Sequence, residues 1–157
     1  MVEKKENKKG FKVAKKPESK IINYDFENVV LGRGATYVAK EILSGNTVNI
    51  YNAEKAVING NRADIFEKYK EKQEFAGKGN PLKGPQYPKN PAGIVRRAIR
   101  GMIKRKRARG MDAYRRLKVF VGTNSTVKVE KLSKAMANPL RKNVSIAEIA
   151  KFLGAKW

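Results

Sequence analysis

Arg96, Arg100 and Lys104 recur every four residues, with Arg97 beside them, and the series runs on through Arg105, Lys106 and Arg107 to Arg109. Guanidinium and ammonium groups at this density do one kind of chemistry. They hold anions, and arginine grips phosphate oxygens in pairs. On a helix the four-residue spacing stacks the cations along one stripe, where they repel one another unless a polyanion neutralises them. Residues 89–118 carry twelve basic side chains and one acid, Asp112, which is half of the chain's net charge of +22. Residues 21–88, by contrast, hold nine basic and eight acidic side chains. A concentrated basic patch on a nearly neutral body is the electrostatic footprint of a nucleic-acid binder. An anionic membrane surface is the second candidate.

Other chemistries find less support. The chain contains no Cys and no His, which removes disulfides, thiol nucleophiles, the common zinc ligands and the usual general base near neutral pH. Glu67, Glu71 and Glu74 stand among Lys68, Lys70 and Lys72, so intrahelical ion pairing accounts for them better than acid–base catalysis. Gly32-Arg33-Gly34, with Glu54 about 20 residues on, imitates a dinucleotide fingerprint. Tyr37, however, stands where a third glycine must let helix and strand pack closely. A tight strand-to-helix turn, whose backbone N–H groups and Arg33 meet a phosphate, is the better reading. Residues 77–85 hold glycines and lysines without P-loop spacing. No cofactor, metal, small-molecule substrate or enzymatic activity is therefore expected. No apolar run approaches the roughly 18 residues of a membrane span. The charged N-terminus lacks the apolar core of a signal peptide, so an intracellular protein is expected.

The elements that must position the basic stripe read as an α/β domain. Residues 1–20 hold eight Lys and few apolar side chains and are expected to be a disordered basic arm. Alternation predicts strands over 21–26 and 47–52, a short third strand over 56–58 and a fourth over 117–122. Helices are predicted over 35–43, 62–74 (with Asn61 as cap), 91 to about 106 (opened by Asn90-Pro91) and 111–116. Within the basic helix, Ile94, Ala98 and Met102 are expected to face the domain, and Arg96, Arg100 and Lys104 to face a phosphate. Residues 75–90 are a long loop rich in Gly and Pro. Ser145-Ile-Ala-Glu148 is a capping box that opens a C-terminal helix over about 145–153. Residues 123–143 carry no clear pattern. Tyr51 and Phe120 fall in strands and are expected in the core, so recognition by shape and phosphate contact is expected rather than base stacking.

Residues 31–40 (LGRGATYVAK), 51–61 (YNAEKAVINGN) and 83–122 (KGPQYPKNPAGIVRRAIRGMIKRKRARGMDAYRRLKVFVG) also carry a resemblance. In that order and spacing they resemble the thirteenth-protein family of the large ribosomal subunit, in its archaeal and eukaryotic form. The likeness runs from about Ile22 to Gly122. It implies a three-layer α/β/α fold around a central four-stranded sheet, which the alternation of strands and helices makes largely parallel, in an RNA-binding domain over 21–122. The basic arm over 1–20 and a C-terminal extension over 123–157 lie outside the likeness. It further implies binding to large-subunit ribosomal RNA, neighbouring large-subunit proteins as partners, a cytoplasmic place in the large subunit and a role early in its assembly. Asn52-Ala53-Glu54-Lys55 and Arg100-Gly101-Met102 match the family's motifs. Gly34 stands where a bulkier apolar residue is usual, and Ile103-Lys104 replaces a common Leu-Pro, which lets the basic helix run further. The expected RNA contacts are Arg33, Lys55, Arg62, Lys83, Lys89, Arg96, Arg97, Arg100, Lys104, Arg105, Lys106, Arg107, Arg109, Arg115 and Arg116. The alternatives are a non-ribosomal nucleic-acid binder of the chromatin or RNA-chaperone kind and a small nucleotide-dependent enzyme using the Gly32 turn.

Overall fold

The computed structural model describes residues 20–75, 79–123 and 128–157. The expected arm, but for Lys20, lies outside them. The elements in chain order are β1 (Ile21–Asp25), α1 (Leu31–Ser44), β2 (Thr47–Tyr51), β3 (Val57–Asn59), α2 (Arg62–Glu74), α3 (Pro91–Met102), α4 (Ala108–Arg115), β4 (Leu117–Val119), β5 (Glu130–Lys131), β6 (Asn143–Ser145) and α5 (Ile146–Phe152). Short 3-10 turns lie at Ala53–Lys55, Pro81–Lys83 and Ser133–Ala135. The main sheet has the order β4-β2-β1-β5 and every pairing in it is parallel. With its helices this is the expected α/β class, consistent with a three-layer α/β/α arrangement.

Two corrections concern the strands. The third predicted strand does not join the main sheet. Val57–Asn59 pairs antiparallel with Asn143–Ser145 in a separate two-stranded ribbon. The fourth position in the sheet is filled by Glu130–Lys131, from the stretch without a clear pattern, paired to Tyr24 and Asp25. Phe120 is a third departure. It lies just past β4, is 42% exposed, and stacks on half-buried Tyr51 at 5.3 Å between ring centroids.

Helix α1 starts four residues earlier than its apolar pattern suggested, so Gly32-Arg33-Gly34 is its first turn and not a loop. The Gly34 N–H donates to the Val30 carbonyl at 2.9 Å. A Cβ on Gly34 would lie 2.7 Å from Val29 Cγ1 and 3.1 Å from Phe26 Cζ. The missing side chain is thus what lets the fully buried Phe26 ring pack under the helix. Ala35, Val38, Ala39 and Ile42 continue that face into the core with Val48 and Ile50 of β2. Gly45, at φ 110°, ends the helix, and its N–H returns to the carbonyls of Glu41 and Ile42. Helix α2 has its expected bounds. Asn61 stands at its cap position, but its amide donates to Asp64 instead of accepting a backbone N–H. The Ser145 capping box forms as read: the Ser145 hydroxyl accepts from the Glu148 N–H at 3.3 Å. Ile146, Ile149 and Ala150 of α5 then join the same core as α1 and the sheet.

Candidate nucleic-acid interface

The basic stripe is built on α3. The Asn90 side chain accepts from the Ala92 N–H at 3.0 Å and Pro91 fills the first turn. Ile94, Val95 and Ile99 are buried, which fixes the face that packs inward. Met102, expected on that face, is instead 43% exposed, with its sulfur 3.6 Å from the Thr36 hydroxyl of α1. Ile94 and the half-buried Ala98 pack against the core as expected, together with Val95 and Ile99, and only Met102 departs. The expected run of the helix to about Lys106 is also corrected. It stops at Met102, and Ile103 leaves the helix to bury its own side chain. A tight turn follows, closed by the Arg107 N–H on the Lys104 carbonyl at 3.0 Å, and α4 begins.

That turn seats directly on α4. A Cβ on Gly110 would overlap the Lys104 carbonyl oxygen and come within 2.7 Å of its carbon. Gly101 is the opposite case, because a Cβ there would meet nothing within 4 Å. The two glycines should therefore answer alanine with opposite signs. Gly110→Ala is expected to cost about 1–3 kcal/mol by overpacking and to lower Tm by roughly 3–10 °C. Gly101→Ala is expected to gain up to about 1 kcal/mol from helix propensity. Thermal melts of both variants by circular dichroism check the pair.

Folding the chain back places one arginine from α3 and one from the turn after it around a single aromatic ring of α4. The Arg96 guanidinium lies 4.8 Å from the Tyr114 ring centroid and that of Arg105 lies 5.7 Å from it. Arg97 is held by the loop before α3, donating to the Gln86 carbonyl at 2.8 Å with its guanidinium 3.8 Å from the Tyr87 centroid. Arg96, Arg97, Arg100 and Arg105 line an open recess of about 320 Å³ with Tyr114, Pro88 and Gly93, and among the described residues no carboxylate enters it. Stacking on tyrosine orients a guanidinium without consuming its N–H donors, so the fork stays available for an anion. A second recess, of about 310 Å³, gathers Lys104, Arg107 and Arg109.

The remaining expected contacts divide by what they already hold. Arg109 and Arg116 donate to the carbonyls of Leu43 and Ile42, at 3.2 and 2.9 Å. They supply from α4 the cations that the last turn of α1 lacks. Lys55 is paired with Glu27 at 2.9 Å, and that hydrogen bond raises its pKa above the usual lysine value. Arg62 pairs with Glu148 at 3.4 Å and Arg115 with Asp112 at 3.5 Å. Exposed pairs of this kind add little to stability, so a phosphate can compete for them. Arg33, Lys83, Lys89, Arg100, Lys104, Lys106 and Arg107 have no side-chain hydrogen bond, ion pair or cation–π contact among the described residues. Arg33, Lys55 and Arg62 are on other elements and line neither arginine recess. Sequence reasoning missed Tyr87, Tyr114 and Gly110. Tyr114 and Gly110 act through the turn that folds α4 back on α3, and Tyr87 through the loop that lays it against Arg97, so none of the three leaves a periodic signal.

The family model for ribosomal protein L13 matches residues 19–126, more than half of the chain. The chain belongs to the ribosomal protein L13 family. A relative from Methanococcus maripaludis named large ribosomal subunit protein uL13 is 43% identical over 83% of this chain and 96% of its own length. Proteins of the same name from Archaeoglobus fulgidus and Methanocaldococcus jannaschii are 40% and 41% identical, over 83% and 85% of this chain and 85% and 97% of theirs. The L13 match contains both helices of the arginine recess.

One L13 motif turns out to bind the fold together. Asn52, in the left-handed region at φ 53°, donates its amide to the buried Asp25 carboxylate at 2.8 Å. Ala53 is fully buried and Glu54 accepts the Gly122 N–H at 3.0 Å. The motif ties the ends of β1 and β2 to the chain leaving β4.

Proposed function

We propose that this chain is a structural constituent of the large ribosomal subunit, that it binds large-subunit ribosomal RNA and that it supports subunit assembly in the cytoplasm. One observation carries the reading: four arginines from α3 and the turn after it converge on a recess that no carboxylate enters among the described residues, in a chain of the L13 family. The Arg96–Tyr114–Arg105 arrangement aims guanidinium forks at a surface, which suits backbone phosphates of folded RNA and gives no base-by-base readout. Neighbouring large-subunit proteins are the expected protein partners. The work of the chain is to hold RNA geometry, not to carry out a reaction.

Binding of this kind releases counterions. If about eight Lys and Arg side chains meet phosphates, log K for large-subunit RNA should fall against log salt with a slope of roughly −6 to −7. A filter-binding or fluorescence titration from low to moderate salt measures it, and a slope near zero would sink the reading.

A further inference from the structure

Arg100-Gly101-Met102 contains a glycine that the fold does not require. Gly101 lies inside α3 without a positive φ, and a Cβ there would meet nothing within 4 Å. Glycine is a poorer helix former than alanine, so the position carries a cost with no internal return. The other glycines inside α3 and α4 have no room for a side chain: a Cβ on Gly93 would lie 2.6 Å from Pro88 Cβ, and one on Gly110 would overlap the Lys104 backbone. A helical glycine open to solvent suits the close approach of something outside the chain.

Gly101 sits at a groove of about 270 Å³ between α2 and α3. Ile94 and Ala98 are among its apolar lining, and Tyr69 and Tyr87 contribute aromatic surface from α2 and from the loop before α3. Each ring is backed by a cation: the Lys72 ammonium is 5.0 Å from the Tyr69 centroid and the Arg97 guanidinium 3.8 Å from that of Tyr87. No acid lines the groove, and neither phenol hydroxyl makes a hydrogen bond among the described residues. Pro88 and Arg97 also line the arginine recess, so the two sites are neighbours.

We propose that this groove receives one unstacked nucleobase of the RNA whose phosphates lie in the arginine recess, an inference that rests on the RNA-binding reading above. The volume suits a planar ring system and is too small for a helix. A nucleobase carries its own phosphates, which Lys72, Arg97 and Arg100 are placed to neutralise. An apolar protein side chain would leave those cations unmatched. Stacking of a base on aromatic side chains tolerates any base, so the groove fixes a backbone bend in the RNA without reading sequence.

The test uses the full chain and large-subunit ribosomal RNA transcribed in vitro. Ultraviolet crosslinking of the wild-type complex, read by mass spectrometry, is expected to place nucleotide adducts on Tyr69 or Tyr87. Gly101→Leu, which fills the groove with a better helix former, is expected to keep the wild-type Tm or exceed it. It should bind about 5- to 100-fold more weakly, the loss of one base stack, with the salt slope unchanged because no charge is removed. Wild-type affinity in Gly101→Leu, or adducts confined to other residues, overturns the groove while leaving the RNA-binding reading intact. A wild-type chain that does not bind the RNA overturns both.

Discussion

Ile99→Asp is expected to lose at least about 4 kcal/mol of stability. The side chain is fully buried in the cluster shared by α1, α3 and the sheet. Removing an apolar side chain of this size from a core costs about 2–5 kcal/mol, and the carboxylate then either pays for desolvation or takes up a proton. The sum approaches the roughly 5–15 kcal/mol that holds a whole domain together. Met102→Asp on the same helix is the control. Its position is 43% exposed, so a change within about 1 kcal/mol is expected. Urea unfolding followed by circular dichroism compares the two. Equal midpoints would mean that the inward face of α3 has been assigned wrongly.

The double variant Arg96→Gln with Arg100→Gln is expected to separate binding from folding. Both side chains are exposed on α3 and line the arginine recess. Losing the Arg96 stack on Tyr114 costs about 0.5–1 kcal/mol, and relief of the like-charge pair four residues apart returns about 0.2–0.5. Glutamine keeps the helix propensity, so Tm should move by no more than a few degrees. RNA affinity should fall far more. Charge-assisted hydrogen bonds contribute about 1.5–3 kcal/mol each, which predicts a loss on the order of 10²- to 10⁴-fold for two. The salt slope should become less negative by about 2. Side-by-side melts and titrations measure both quantities. Unchanged affinity, or a collapsed melting curve, would move the RNA surface elsewhere on the molecule.

The sequence was most legible where one element answers to its own residues. Helix α2 matched its predicted bounds, α5 its capping box and the start of α3 its Asn-Pro pair, because each signal is local. Legibility failed where a distant neighbour decides. Glu130–Lys131 is two residues long and has no period to detect, and it is a strand only because the outer edge of β1 offers it partners. Gly32 and Gly34 read as turn punctuation, yet the Phe26 ring is what requires Gly34, so the helix runs through both. No proline marks the end of α3. The burial of Ile103 and the seat on Gly110 end it, and no spacing rule reports either one. The basic residues of the recess were visible as charge. The tyrosines that orient them were not, since Arg96 meets Tyr114 only after the chain turns back.

The pairing of Tyr24 with Glu130, and of Val57 with Ser145, also sets a timetable for synthesis. A ribosome adds about 5–20 residues per second, so β1 waits several seconds with one hydrogen-bonding edge bare before its outer partner emerges. The Val57–Asn59 segment waits almost as long for β6. Parallel pairing between segments this far apart closes slowly, because the loop entropy is lost before the contacts form. During that interval the exposed edge is a template for other chains. Once the basic helices are made, ahead of β5, their charge repels any second copy of the nascent chain, so the charge that suits a polyanion also guards the unfinished sheet for the rest of the wait.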